Sequence, residues 1–163
     1  KTNALKTYKV LENILKKYKP MLTHVTSDSV FEEAVTIILS GNRPPIDYFD
    51  DYEYRNVFID GRLGDIGGGI SYKMMPLISS DWEQTFNWDG TGIFPSAQYE
   101  ILSELVKSVH LEKKEIRFWA SPDNQNTWRT LLLADVDLIK KDNIEQFKKF
   151  ITLKNSEKDI IND

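Results

Sequence analysis

Arginine, aspartate and asparagine side chains follow four of the strand-like segments of this chain. Those segments end in the sequences SGNRP, DGRLGD, SSDW and FWASPDN. A guanidinium group matches phosphate and carboxylate with paired hydrogen bonds, so Arg43 and Arg62 favour an anionic ligand. Asp60 could hold one of these arginines in place, bind a divalent cation through oxygen, or act as a general base.

Parallel strands would bring these side chains to one edge of a sheet, because the carboxyl ends of such strands lie together. Convergence there predicts a polar cleft with an aromatic wall, formed by Asn42, Arg43, Asp60, Arg62, Asp81, Trp119 and Asp123.

The strand-like segment before FWASPDN raises a further question. Alternation places Arg117 and Trp119 on the face opposite Ile116 and Phe118. If the arginine face lines a barrel, both residues belong to the site. If it meets helices instead, Arg117 needs a buried carboxylate partner.

Simpler explanations exist for each of these residues. SGN and DGR are ordinary turn sequences, in which Gly supplies a positive φ. Trp119 alone is more typical of a core residue than of a ligand platform. Asp123 and Asn124 could serve only to cap the helix that follows them.

The elements that would position these side chains alternate along the chain. Apolar residues at helical spacing predict helices over residues 4–18, 96–110, 126–133 and 143–151. Short apolar or β-branched runs predict strands over residues 34–39, 57–59, 76–79, 116–119 and 136–139. This order predicts a single α/β domain over residues 1–151 and a polar tail over residues 152–163, of which NSEKDIIND is expected to be frayed.

Composition excludes several classes of function. The net charge of −4 does not provide the basic surface that nucleic acid binding requires. No apolar run is long enough for a membrane span. The absence of cysteine excludes thiolate metal ligands and disulfides, and two histidines are too few for a multi-histidine metal site.

Taken together, ILSGNRP, FIDGRLGDIG, MPLISSDW, IRFWASPDN and VDLI resemble the second half of the PLC-like phosphodiesterase superfamily. The nearest groups are the proteins related to altered inheritance of mitochondria and the glycerophosphodiester phosphodiesterases. The resemblance covers residues 1–151. One departure is Lys140-Lys141-Asp142, where the family usually has Asn-Thr-Asp.

The resemblance implies a (β/α)8 barrel of the TIM type, of which this chain holds strands four to eight with their helices. Three further strands would carry a catalytic histidine and the carboxylates that bind Mg²⁺ or Ca²⁺. It also implies that Lys1, Arg43 and Arg62 stabilise phosphate charge and that Asp60 orients a basic group or touches the metal. Asn42, Arg117, Trp119 and Asp123 would then bind substrate.

Three functional hypotheses follow. The complete protein would be a metal-dependent phosphodiesterase acting on a phospholipid-derived phosphodiester, with this chain inactive by itself. Alternatively, the barrel keeps an anion pocket without catalysis, or the chain self-associates through open sheet edges. Relatives are often exported, so the resemblance is compatible with a secreted or periplasmic protein.

Overall fold

The structure, a computed structural model, describes residues 3–27, 29–140 and 142–161. Its α-helices are α1 (Ala4–Leu15), α2 (Trp82–Thr85), α3 (Ser96–Leu111), α4 (Gln125–Leu133) and α5 (Ile144–Ile161). Its strands are β1 (His24–Thr26), β2 (Val30–Phe31), β3 (Ile38–Leu39), β4 (Tyr54–Arg55), β5 (Phe58–Gly61), β6 (Leu77–Asp81), β7 (Glu115–Trp119) and β8 (Leu138–Ile139). Short 3₁₀ helices cover Lys16–Met21, Ile46–Phe49 and Leu63–Asp65.

The five predicted strands form one parallel sheet in the order β3-β5-β6-β7-β8, flanked by helices. This confirms the predicted α/β class, and β3 and β8 are the outer strands of that sheet. Closure of the sheet into a TIM barrel with three further strands stays a prediction. Self-association through the outer strands also stays a prediction.

The strand expected over residues 34–39 is shorter than predicted. Only Ile38 and Leu39 join the parallel sheet, where they lie opposite Phe58 and Ile59. Val35 instead forms a separate parallel bridge with Leu22. The apolar run is therefore divided between two neighbours, which a pattern of side-chain types does not indicate.

A second, antiparallel sheet in the order β2-β1-β4 was not predicted. β1 pairs with β2 on one side and with β4 on the other. The His24 ring stacks on Phe31 at 4.9 Å and contacts the tilted Tyr54 ring at 5.0 Å between ring centroids, so aromatic contacts join all three strands. The polar residues Ser27 and Ser29 between two β-branched runs are a hairpin signal that could have indicated this sheet.

The chain divides into two compact units, and each has its own core. The first comprises the described residues up to Ile78 together with Glu112–Lys114. There, α1 buries Tyr8 and Leu15, and the Tyr8 ring meets Phe49 edge-on at 5.3 Å. α1 ends at Leu15, before the predicted residue 18, and a 3₁₀ turn that contains Pro20 follows it.

The second unit comprises Ser79–Leu111 and the residues from Glu115 onward. α3 buries Leu102, Val106 and Val109, and it packs against β7. Phe118 of β7 packs edge-on against Trp82 and Phe86, each at 5.6 Å between ring centroids. The division into compact units does not test whether residues 1–151 form one domain, which stays a prediction.

The last helix is longer than predicted, and fraying of the tail stays a prediction. α5 begins at Ile144, with Asn143 accepting a hydrogen bond from the Gln146 amide at 3.0 Å, and it continues well beyond the predicted end at residue 151. No glycine or proline interrupts this segment, and its lysine and glutamate residues have good helix propensity. Polarity alone was therefore a poor indicator of where the helix ends.

Candidate functional site

A cluster of three polar side chains lies at the carboxyl ends of β3 and β5 in the first unit. Asp60, whose side chain is 1% exposed, accepts a hydrogen bond at Oδ2 from Ser40 Oγ at 2.5 Å. The same Oδ2 lies 3.0 Å from Arg62 Nη1, and Arg62 Nη2 lies 3.5 Å from Ser40 Oγ. A buried carboxylate oxygen is therefore contacted by both a hydroxyl and a cation.

Strand register explains why these residues meet. Leu39 of β3 lies opposite Ile59 of β5, so Ser40 and Asp60 are the next residues along two neighbouring parallel strands. The predicted proximity of Asp60 and Arg62 is thereby confirmed. Ser40 is part of the same cluster, although from the sequence it was interpreted only as the start of a turn.

Gly61, the glycine of the DGR sequence, does not supply the positive φ that was expected of a turn residue. Gly61 belongs to β5 and has no positive φ, whereas Gly41 in the SGN turn has φ of 71°. A Cβ at Gly61 would lie 2.4 Å from Met75 Sδ and 2.6 Å from Ile78 Cδ1. The turn explanation is therefore right for Gly41 and wrong for Gly61, where close packing requires glycine.

A cavity of about 180 Å³ lies beside this cluster, also in the first unit. Asn42 and Arg43 line it together with Ser40, and Ala4 and Thr7 contribute the first turn of α1. The predicted anion-binding residues Asn42 and Arg43 thus line one cavity together with residues from the start of α1.

Arg117 and Trp119 lie on the less buried face of β7 in the second unit, while Ile116 and Phe118 are buried. The predicted alternation is confirmed. Arg117 Nε donates to Ser79 Oγ at 2.7 Å. Trp119 is 42% exposed, so the explanation that it is a core residue is wrong.

Two aspartates of the second unit accept hydrogen bonds within that unit. Asp81 caps α2 by accepting from the Glu83 amide at 3.1 Å. Asp123 accepts from Trp128 Nε1 at 3.0 Å, and its other oxygen accepts from the amides of Asp142 and Asn143, each at 3.2 Å.

The helix-cap explanation holds for one of the two residues it named. Asn124 caps α4 by accepting from the Thr127 amide at 3.0 Å. Asp123 instead connects two loops. Its proposed contact with substrate, like those of Arg117 and Trp119, stays a prediction.

Lys1, the third cation of the expected site, lies outside the described residues. Among residues 3–27, 29–140 and 142–161, no group of three histidine or carboxylate side chains could hold a metal ion. The described residues therefore do not by themselves fit the divalent cation that the resemblance implies.

Two polar features were not predicted from the sequence. His110 lies at the end of α3 with Nε2 2.9 Å from Asp137 Oδ2, which also accepts from the Ile116 amide at 2.8 Å. Arg55, in the alternating sequence YEYR, is only 6% exposed. The alternation of tyrosine with charged residues in this sequence is the signal that could have indicated a strand containing Arg55.

No protein-family model, curated protein or solved structure matches this chain. The resemblance to the phosphodiesterase superfamily therefore stays a prediction. Within the part of the chain that the structure describes, no helix has the length and apolar composition needed to cross a membrane.

Proposed function

We propose that this chain is part of a metal-dependent phosphoric diester hydrolase acting on a phospholipid-derived phosphodiester. In this proposal the parallel sheet supplies strands four to eight of a (β/α)8 barrel. The observation that supports it most directly is the Ser40–Asp60–Arg62 cluster, placed where parallel strands end and beside the cavity of Asn42 and Arg43.

Arg62 is suited to contact an anion because its side chain is 42% exposed while its orientation is fixed. Nη1 donates to the Gly61 carbonyl at 2.7 Å and lies 3.0 Å from Asp60 Oδ2. A guanidinium carries five N–H donors, so donors remain for phosphate oxygens after these contacts. Arg43 would add a second cation, and Lys1 a third, as the resemblance implies.

Asp60 is better suited to positioning Arg62 than to abstracting a proton. Its Oδ2 is contacted by both the Ser40 hydroxyl and the Arg62 guanidinium. An oxygen that already accepts from two donors is less available to take a proton from a ligand. In this proposal Asp60 therefore holds the guanidinium in the orientation that meets phosphate.

Mg²⁺ or Ca²⁺ would stabilise charge on the phosphate in the complete protein. The described residues include no group of three candidate ligands, so the contribution assigned to them is binding and orientation of the anion.

The test is hydrolysis of glycerophosphocholine and bis(p-nitrophenyl) phosphate by the full-length protein, with Mg²⁺ or Ca²⁺ and again after EDTA. We expect metal-dependent turnover that falls roughly 100-fold in kcat/KM in Arg62→Gln, as when one charge-stabilising donor is removed. Arg129→Gln is the matched control, because Arg129 is an exposed arginine of α4. Absence of turnover under all these conditions would refute the proposal.

A second candidate is a barrel that binds phosphate without hydrolysing it. The contacts at Oδ2 of Asp60 support this alternative as well, because orienting a cation towards an anion is all that binding requires. Calorimetric titration with glycerol 3-phosphate separates the two. Binding that depends on Arg62 without any turnover would support the binding protein over the enzyme.

A further inference from the structure

A second polar cavity, of about 170 Å³, lies in the first unit between the end of α1 and strand β4. Its lining includes Tyr8, Glu12, Lys16, Lys19, Tyr54 and Arg55. Cavities that enclose drug-sized ligands usually measure about 300–1,000 Å³, so this one suits a small group. Arg55 is in β4, just before the amino end of β5, whereas Asp60 and Arg62 lie at the carboxyl end of that strand.

Arg55 is a buried cation that the chain holds with backbone groups. Nη1 donates to the Val57 carbonyl, and Nη2 donates to the Lys73 carbonyl at 2.7 Å. Within the described residues, no carboxylate forms an ion pair with Arg55. Carbonyl oxygens satisfy donors without neutralising the charge, and a buried charge without a counterion is costly. Burial accordingly lowers the pKa of Arg55.

Two lysines add to the positive charge of this cavity. Lys16 and Lys19 are exposed, and Lys19 Nζ lies 4.1 Å from the centre of the Tyr54 ring. Glu12 is the acidic residue of the lining, so the lining carries three cations and one anion. The net positive charge favours a ligand with at least one negative charge.

Tyrosine hydroxyls complete the polar lining. Burial, followed by the nearby Glu12, raises the pKa of Tyr8 to about 12, so its hydroxyl remains a hydrogen-bond donor at neutral pH. The Tyr54 hydroxyl is buried without a hydrogen-bond partner among the described residues. A buried hydroxyl without a partner is destabilising, and a ligand oxygen beside it would remove that cost.

We propose that this cavity binds the phosphate group of a small molecule or a lipid headgroup, as a second anion site separate from the cluster of Ser40, Asp60 and Arg62. A guanidinium, two ammonium groups and a phenol provide several donors around one small space. The carboxylate of Glu12 would weaken binding of ligands that carry further negative charge.

The test changes the lysines and keeps Arg55. Arg55 also donates hydrogen bonds to two backbone carbonyls, so its substitution would disturb the fold as well as the cavity. The double variant Lys16→Gln/Lys19→Gln removes two charges from the cavity. Lys9→Gln/Lys17→Gln is the matched control, since both lysines are exposed in the same part of the chain and neither lines this cavity. Arg43→Gln/Arg62→Gln disables the other anion site and so separates this proposal from the proposed function.

The measurement is a titration of the full chain with inorganic phosphate, followed by calorimetry and by the NMR signal of Arg55 Nε–H. We expect phosphate to shift that signal, with affinity reduced roughly tenfold or more in Lys16→Gln/Lys19→Gln. Affinity at this site should change less than about twofold in the other two double variants. A parallel arm measures sedimentation with phosphatidylcholine vesicles, with and without phosphatidic acid.

Binding of inorganic phosphate alone would assign a free phosphate. Sedimentation that needs phosphatidic acid and is lost in Lys16→Gln/Lys19→Gln would assign a headgroup. An Arg55 signal that responds to neither probe would overturn the proposal, as would equal losses in Lys9→Gln/Lys17→Gln. The proposal would also be overturned if Arg43→Gln/Arg62→Gln were the one double variant that loses all phosphate binding. The cluster of Ser40, Asp60 and Arg62 would then be the site that binds phosphate.

Discussion

Asp60 and Asp123 are two aspartates that follow the same kind of sequence pattern and have different partners. Asp60, in the first unit, is bound by the side chains of Ser40 and Arg62. Asp123, in the second, is bound by the indole of Trp128 and by two backbone amides. The first carboxylate orients a cation that is itself partly exposed, whereas the second connects two loops.

The difference shows that polar residues at strand ends do not all have the same function. A carboxylate that accepts from a side-chain cation can transmit its effect to a ligand through that cation. A carboxylate that accepts from backbone amides stabilises chain conformation instead. The type of donor therefore distinguishes a candidate site residue from a structural one.

The largest effect should come from the loop that packs against the residues following Asp123. Gly90 has φ of 87°, and a Cβ there would lie 2.2 Å from Asn124 Nδ2 and 2.9 Å from Thr127 Oγ1. Gly90→Ala combines backbone strain with overpacking, so it should lower the free energy of unfolding by roughly 3 kcal/mol. Urea denaturation measures the change.

Gly92→Ala provides the control, because Gly92 has φ of 67° and a Cβ added there would have no neighbouring atom within 4 Å. It should cost about 1–2 kcal/mol from backbone strain alone. Equal costs in the two variants would mean that the loop around Asp123 is not tightly packed, and the structural role assigned to that region would be lost.

Asp60→Asn should have the next largest effect. The variant removes the charge that binds Arg62 and Ser40, and hydrogen bonds to charged groups contribute about 1.5–3 kcal/mol. We expect the free energy of unfolding in urea to fall by that amount. A change near zero would show that Arg62 does not depend on Asp60, and the contrast with Asp123 would disappear.

Asp123→Asn should cost about 1 kcal/mol, since an amide oxygen can still accept one of the three hydrogen bonds. Calorimetric titration with glycerol 3-phosphate should give an affinity within about twofold of the unchanged protein. A much larger loss of affinity would place Asp123 in the binding site and would reverse its assignment as a structural residue.

The smallest effect concerns Glu115, at the amino end of β7. Burial, and then the nearby Asp137, raises the pKa of this carboxyl above its ordinary value. The folded state then binds the proton more tightly than the unfolded state, so stability falls as pH rises from the unfolded pKa through the folded one.

Glu115→Gln should therefore match the unchanged protein below about pH 4 and be more stable at pH 7. The gain should reach at most about 0.5 kcal/mol, because solvent screens a partly exposed carboxyl. Thermal unfolding at several pH values tests this, with Glu100→Gln as an exposed control in α3. A variant that is less stable at pH 7 would contradict the expected direction.

Much of the parallel sheet was predictable because its signals are local. Val57-Phe58-Ile59 and Ile116 to Trp119 are short apolar runs with turn residues behind them, and both contribute strands to the sheet. The amphipathic pattern behind α3 gave its bounds to within one residue. Such patterns depend only on neighbours in sequence, which is why they could be recognised without coordinates.

The antiparallel sheet and the cavity at Arg55 were not predictable in the same way. Tyr54 and Arg55 pair with β1, which lies far away along the chain, and that register has no sequence signature. The proximity of Asp60 and Arg62 followed from their spacing, but the contribution of Ser40 depended on the register of β3 with β5. Residue types could be read from the sequence, whereas the pairing of strands that are distant along the chain could not be predicted from it.

The bonds of Asp123 have a consequence for how the second unit fluctuates. One carboxylate accepts from the Trp128 indole and from the amides of Asp142 and Asn143. A single opening event that displaces this carboxylate would release the start of α4 and the approach to α5 together, so hydrogen exchange of the three protons should report a similar free energy of opening.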